Sequence, residues 1–470
     1  MDSSKRGDHV NVFKFPINNF SPIDEQIYIH LKNIIRNKEF ENIKIFPTPR
    51  DLAIQIKQSY SDVMSAYRQL EVEGYLKKQD DIFIVPHFER VDKEHSSGYK
   101  SDYVIDEEVA IFDFSPTTVD KQYFPLSRWQ ECLLESSNLS SLFQFSHHDG
   151  EYLLREAICT HLKKNRNIEA SPANIFISSN VPALLLQLGT FLKKGGYYNS
   201  FKIENPGNYE AFSIFKELDY HLSTCPVSLE DGHDVNSLKD ERTLFYVTLS
   251  YQQPLGYNLP IEKRAKLHQW AKKNDCLFIE DDRETAFRYD VRNVYPMASV
   301  DSTHVIYINS FAYSFLPSAK VAYMVLPNKL VEKYTQFTKH LTQNSSPILQ
   351  TAIGHFINKG YFLEHVEHMK QIYNQKMQVL TAKIQTTFPE RARIFGEEAG
   401  QSLLLQPNNG MSEEELIQSA LEIGVKVYPI SPYYLEGQTP KTPTLILGFG
   451  QLTRNEMTDA INRLYIKWYT

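Results

Sequence analysis

A chain of 470 residues exceeds the size at which a single core usually stops growing, so two or more domains are expected, at least one of them large. Hydrophobic residues at 42% and charged residues at 23% exclude a disordered chain. A net charge of -7 with a pI near 6.1 excludes a uniformly basic nucleic-acid coat or a polybasic membrane-surface protein, so any contact with DNA must be local. No uninterrupted apolar run approaches the ~18 residues of a membrane span, and Met1 to Asn11 is polar, unlike a signal peptide; a cytoplasmic protein with no membrane partner is the expectation. Cys132, Cys159, Cys225 and Cys276 lie far apart without metal-ligand spacing and read as buried reduced thiols, so no metal site is expected.

After a tail over residues 1–20, residues 21–86 read as three short helices and a hairpin. Ser21 is a cap with Pro22 at the first helical position, and Ile23, Ile27, Leu31 and Ile34 recur on one face. Thr48 caps a second helix, with Pro49 first, Asp51 third, then Leu52, Ala53 and Ile56. Ser59 or Ser61 begins a third, with the apolar stripe Val63, Ala66, Tyr67 and Leu70, and Gly74 stands where a left-handed cap is wanted. Tyr75 to Lys78, a turn at Asp80–Asp81, and Ile82 to Val85 closed by Pro86 read as a two-stranded wing.

Residues 87–110 are polar and aperiodic, as a linker should be. Residues 111–470 alternate helical stretches with apolar runs at Ile175–Ile177, Thr243–Val247, Leu277–Ile279, Val305–Ile308 and Ala322–Leu326, the pattern of a mostly parallel α/β sheet.

The run Phe46-Pro47-Thr48-Pro49-Arg50-Asp51-Leu52-Ala53, followed by Val63, Ala66-Tyr67, Leu70 and Glu73-Gly74-Tyr75, resembles the DNA-binding module of the GntR family, a winged helix-turn-helix. The resemblance implies that Arg50 grips the DNA backbone and that Ser59, Tyr60 and Ser61 open the helix that enters the major groove. Thr48, Arg68, Lys77 and Lys78 complete the candidate set for double-stranded operator DNA. Two features depart from the family pattern: Ser59-Tyr60-Ser61-Asp62 replaces the usual Ser-Arg-x-Thr, and Asp80 and Ile82 replace the wing's glycines. Asp62 is expected to point away from the duplex or to cap its helix. Residues 21–86 hold nine Lys or Arg against ten Asp or Glu, so the module carries no positive excess.

The rest of the chain resembles a fold-type I pyridoxal phosphate transferase, with a mostly parallel sheet and a small C-terminal α+β subdomain. The landmarks are Phe112-Asp113-Phe114, Phe124-Pro125, Trp129, Gly150, Leu154-Arg155, Glu204-Asn205-Pro206-Gly207, Gln252, Pro254, Gly256, Glu280-Asp281-Asp282, Arg288-Tyr289, Leu316-Pro317 and Leu447-Gly448-Phe449. A GntR module joined to such a domain is the architecture of the MocR subfamily. By that resemblance the Schiff-base lysine position is Tyr313, and a phenol forms no imine. The phosphate cup reads Ser179-Asn180-Val181-Pro182, where Pro182 has no N–H to offer. The hydroxyl next to the lysine position has become Ala312, with Ser310 nearby, and the arginine position is Lys320. The stacking tyrosine has become Asn208 with Tyr209 one place along, and the tyrosine that meets the ring oxygen has become Arg283. Asp281 stands where the acid facing the ring nitrogen belongs; it keeps that role, or it is a solvated or capping carboxylate. Tyr313 fills its pocket or contacts an effector, and Lys320 is an anion-binding remnant or a plain surface lysine.

The sequence therefore implies a homodimeric DNA-binding regulator whose aminotransferase-like domain serves dimerisation and small-molecule sensing without catalysis. Pyridoxal phosphate is expected non-covalently at most, with no cofactor or an altered ligand foremost, and Asn180, Asn208, Asp281, Ser310, Tyr313 and Lys320 form the candidate pocket. Two other readings stay open at this level: a pyridoxal phosphate-dependent enzyme, which lacks its lysine, and an interaction protein in which both halves have degenerated.

Overall fold

A computed structural model describes residues 22–36, 46–79, 82–85, 112–116, 118–137, 145–289, 294–435 and 437–470, with Phe13, Phe15 and Phe143 as isolated positions. The expected cap Ser21, the Asp80–Asp81 turn, the linker at 87–110 and most of the 1–20 tail lie outside the described residues. The chain divides into two units, Met1–Ile105 and Asp106–Thr470.

The first unit holds α1 (Ile23–Arg36), α2 (Pro49–Ile56), α3 (Tyr60–Val72) and the antiparallel pair β1 (Lys77–Gln79) and β2 (Ile82–Ile84). Ile27, Leu31, Ile34, Leu52, Val63, Ala66, Tyr67, Leu70 and Leu76 bury together. Ile23, expected on this apolar face, is 37% exposed instead, because it opens α1 and projects past the end of the core. Gly74 adopts φ +80, and Tyr75 and Leu76 return their N–H groups to the Leu70 carbonyl at 2.8 and 3.2 Å, the closure that only a left-handed residue allows cheaply. Phe46 joins the wing by donating its N–H to Phe83 O at 2.8 Å.

Tyr67 is completely buried, lies edge-on to Phe46 and Phe83, and donates its hydroxyl to Pro47 O at 2.8 Å. Removing that donor strands a part-buried carbonyl. Tyr67→Phe is accordingly expected to destabilise this unit by about 1 kcal/mol, read as faster hydrogen exchange over residues 46–79 in the whole chain.

The second unit begins with β3 (Phe112–Asp113), α4 (Leu126–Ser137), α5 (Tyr152–Arg166), β4 (Ile175–Ser178), α6 (Val181–Lys194), β5 (Ser200–Asn205) and α7 (Tyr209–Glu217). It continues through β6 (His221–Ser228), β7 (Gly232–His233), β8 (Leu244–Val247), α8 (Ile261–Lys273), β9 (Leu277–Asp281), β10 (Val305–Ser310), α9 (Phe311–Ser314), β11 (Ala322–Val325) and α10 (Asn328–Thr338). The remainder comprises α11 (Pro347–Asn358), α12 (Tyr361–Thr387), β12 (Ala392–Phe395), β13 (Ser402–Pro407), α13 (Glu413–Glu422), β14 (Val425–Lys426), β15 (Tyr428–Pro429), β16 (Leu445–Gly448) and α14 (Arg454–Tyr469).

An eight-stranded sheet runs β4-β11-β10-β9-β8-β5-β6-β7. Its β10-β9-β8-β5-β6 stretch is parallel, and β11 lies antiparallel to both neighbours. One face packs Phe245, Val247, Phe278 and Tyr307 against α5, α8, α11 and α12; the other packs Ile203, Tyr246, Ile279 and Ile308 against α6, α7 and α10. This is the helix-sheet-helix sandwich that doubly apolar strands require. A second, antiparallel sheet β12-β13-β16-β15 forms the C-terminal α+β part with α13 and α14. Consecutive strand residues point to opposite faces, so Asp281 and Asp282 at the exit of β9 serve different sides of the sheet. No helix among the described residues is long and apolar enough to cross a membrane.

Candidate functional sites

In the first unit, two capping hydroxyls set the helix starts. Thr48 Oγ1 accepts from Asp51 N at 3.2 Å and donates to Asp51 Oδ2 at 2.6 Å; Ser59 Oγ does the same with Asp62, at 3.1 and 2.7 Å. Asp62 thus serves its own helix start, one of the two roles expected for it, and Ser59 rather than Ser61 is the cap. Both hydroxyl protons are committed inside the turn, so Thr48 and Ser59 aim helices instead of offering free donors.

Arg50, Tyr60, Ser61, Arg68, Lys77 and Lys78 are exposed. Among the described residues, Arg50, Lys57, Arg68, Lys77 and Lys78 form no ion pair, whereas Lys32 is bound to Glu73 at 2.6 Å beside Tyr28. Sequence reasoning missed that buttress, and also the bond from Ser65 Oγ to Asp24 Oδ2 at 2.9 Å that ties α3 to α1. The Lys32–Glu73 pair takes one cation and one acid out of play and leaves the net charge unchanged, with Arg50, Lys57, Arg68, Lys77 and Lys78 on α2, the α2–α3 turn, α3 and the wing.

In the second unit the candidate pocket residues fall at the ends of β9 and β10 and at helix starts. Asp281 is buried, and its Oδ2 pairs with the Arg283 guanidinium at 2.7 Å and also accepts from Tyr246 Oη. Its Oδ1 accepts from Arg283 N at 3.2 Å. This is neither a solvated carboxylate nor a helix cap. The Arg283 guanidinium lies 5.4 Å from the Tyr313 ring centroid and donates to Tyr246 Oη at 3.3 Å. A phenol at 313 therefore covers an arginine. Burial raises the ionisation of Tyr313 and Tyr246 further above the ordinary phenol value, so both stay neutral beside the ion pair. The space left between Arg283, Tyr313, Phe287 and Gln401 is about 20 Å³, room for about one water and not for an aromatic ring.

At the cup, Asn180 is the N-cap of α6 and accepts from Ala183 N at 2.8 Å, Pro182 offers no donor, and Ser179 N donates to Asn344 Oδ1 at 2.9 Å. Asn208 caps α7 by accepting from Ala211 N at 2.9 Å, and Tyr209 is exposed. Ser310 is buried, accepting from Ala312 N at 3.2 Å and donating to Val321 O at 3.4 Å, while Lys320 is exposed in a left-handed conformation. Asn180, Asn208 and Ser310 thus spend their side-chain oxygens as capping acceptors.

No protein-family model matches the chain. It is 30% identical over 461 residues to the uncharacterized helix-turn-helix transcriptional regulator YdeL of Bacillus subtilis, spanning 95% of this chain and 97% of that one. The chain belongs to the MocR-type helix-turn-helix transcriptional regulators. The probable rhizopine catabolism regulatory protein MocR of Rhizobium meliloti is 25% identical over 94% of this regulator and 93% of its own length. Among solved structures, the multiple substrate aminotransferase of Thermococcus profundus superposes with a TM-score of 0.68 at 18% identity, covering 77% of this chain and 92% of that one. LysN, an α-aminoadipate aminotransferase of Thermus thermophilus, gives 0.67 at 21%, covering 77% and 92%. These likenesses establish the fold-type I aminotransferase-like architecture of the regulator's second unit.

Glu284, beside Arg283, is a further residue that sequence reasoning passed over. It accepts from Gln253 Nε2 at 2.7 Å, and burial raises its carboxyl from 4.5 to about 7 against the opposing Arg283 charge. The folded state holds this proton more tightly than the unfolded one, so the stability it contributes is complete below pH 4.5 and is lost as pH rises through about 7. Glu284→Gln does not titrate. Its thermal midpoint is expected to fall less between pH 4.5 and 7 than that of the parent regulator; an unchanged slope would mean that Glu284 is ionised throughout.

Proposed function

We propose that this MocR-type regulator binds double-stranded operator DNA through its head as a homodimer, and that its aminotransferase-like unit senses a small molecule and dimerises without catalysis. The cytoplasm, where such DNA lies, is its place of action. Support for the head comes from the exposed Arg50, Tyr60, Ser61 and Arg68 at the openings and outer face of two capped helices, with Lys77 and Lys78 on the wing. The cations of α2, α3 and the wing make a modest electrostatic contribution for one head, and two heads on paired half-sites double it.

The observation that carries the non-catalytic reading is the Asp281–Arg283 pair covered by Tyr313. LysN is known in complex with phosphopyridoxyl-leucine. Here the carboxylate that would meet the ring nitrogen is satisfied by an arginine, the lysine position is a phenol, and the cup's amides at Ser179 and Ala183 are engaged. These residues do not fit pyridoxal phosphate, and no reaction step is assigned to it.

A gel shift with the DNA upstream of the regulator's own gene, repeated across a salt series, tests the DNA-binding reading. A complex that weakens steeply with salt is expected. No complex at low salt, or one indifferent to salt, contradicts the proposal and favours an interaction protein.

A further inference from the structure

On the opposite side of the sheet from Asp281, where Asp282 points, a cavity of about 280 Å³ opens between α5, the residues after β9 and the start of α12. It shares no lining residue with the small space beside Arg283 except Ala286. Cations outnumber carboxylates there: Lys164, Arg166, Arg288 and Lys370 line it against Glu367, with Asp282 paired behind Arg166. His161 adds no further positive charge, since burial, and then Arg166, lower it to about 4 and keep it neutral.

Arg166 is the best-positioned cation. Its side chain is only 17% exposed, and one Nη is fixed by Asp282 Oδ2 at 2.5 Å, an acceptor further braced by Tyr307 Oη at 2.8 Å. Among the described residues the rest of the guanidinium has no hydrogen-bond partner, and its Nε is buried without one. Lys164 and Lys370 have no ion pair among the described residues. One other wall is aromatic: Phe311 and Phe362 meet edge-on at 5.5 Å, and Tyr323 lies 5.7 Å from Phe311, while Asn165, Thr285, Asn309 and Ser314 add polar groups elsewhere. Half an arginine fork pre-aimed by a buried carboxylate, two lysines outside any ion pair among the described residues and one aromatic wall are the parts that hold a flat anion by its charged end and its ring face.

We infer that this cavity binds a small monocyclic aromatic carboxylate, its carboxylate at Arg166, Lys164 and Lys370 and its ring against the wall that Phe311, Phe362 and Tyr323 form together. The site extends the sensing role proposed above, and its occupancy is measured without DNA, so a failure of operator binding and a failure of this site are separate results.

Isothermal titration of the full-length regulator with benzoate, benzamide, cyclohexanecarboxylate and inorganic phosphate reads the site. Benzoate is expected to bind, benzamide and phosphate at least about tenfold more weakly, and cyclohexanecarboxylate between them. Lys164→Ala with Lys370→Ala changes two surface side chains and is expected to weaken benzoate by about tenfold. Arg166→Lys keeps a charge for Asp282 while removing the planar fork, and is expected to weaken benzoate as well. Equal binding of benzoate and benzamide, tighter binding of phosphate, no heat with any of the four, or benzoate affinity unchanged in both variants would each overturn the inference.

Discussion

Arg283→Ala is expected to destabilise the aminotransferase-like unit by about 3–5 kcal/mol, the largest single effect anticipated in the regulator. The guanidinium holds the buried Asp281 at 2.7 Å, and its removal leaves a buried carboxylate with only the Tyr246 hydroxyl and one backbone N–H among the described residues. Tyr313 loses the cation its ring covers. All three tryptophans, Trp129, Trp270 and Trp468, belong to this unit, so urea unfolding followed by tryptophan emission reports on it without interference from the head. Adding Asp281→Asn to Arg283→Ala should recover a large part of the loss, because the cost lies in the orphaned charge more than in the absent guanidinium. A loss below about 1 kcal/mol, or no recovery in the double variant, would show that Asp281 is solvated and that the ion pair does not organise the pocket.

The second large effect concerns the head. Arg50 stands second in α2, exposed and without an ion pair among the described residues, at a helix start already fixed by Thr48. Arg50→Ala is expected to weaken each head's grip on operator DNA by about 1–3 kcal/mol and to lower the salt slope by about one unit for each phosphate that is no longer neutralised. In a dimer both heads are affected, so the measured weakening should approach the upper end of that range or exceed it. Fluorescence anisotropy over a salt series gives affinity and slope together. Weaker affinity with an unchanged slope would place Arg50 on a base or in the fold instead of on a phosphate.

The helix-turn-helix was legible because its signals are local: Pro and capping residues at helix starts, a stripe at helical spacing, and Gly74 at a left-handed position. The sheet was legible only where its strands are uniformly apolar, and all five runs named from the sequence became strands. β5 escaped that pattern. Its Lys202 and Glu204 break the apolar run, yet both are buried, Lys202 against Glu241 and Ser223 and Glu204 against His233 and Thr248, partners far along the chain. The pocket was half legible. The residues at its altered positions could be named in turn, and Arg283 was among them as a lost tyrosine. That it turns back onto Asp281 and under Tyr313 depends on the bend after β9 and on β10 arriving alongside, which no local spacing encodes. The same holds for Asn344, which crosses from beyond β11 to take the Ser179 amide.

In the proposed non-catalytic reading, Arg283, paired with Asp281, and Tyr313 over its guanidinium close the position where a transferase would hold pyridoxal phosphate. Absorbance of the full-length protein after incubation with excess pyridoxal phosphate and gel filtration tests this closure most directly, with Lys320→Ala run in parallel. A spectrum equal to that of protein alone is expected, in parent and variant alike. A new long-wavelength band that stays with the protein would contradict the closure, and disappearance of that band in Lys320→Ala would place the attachment on that lysine.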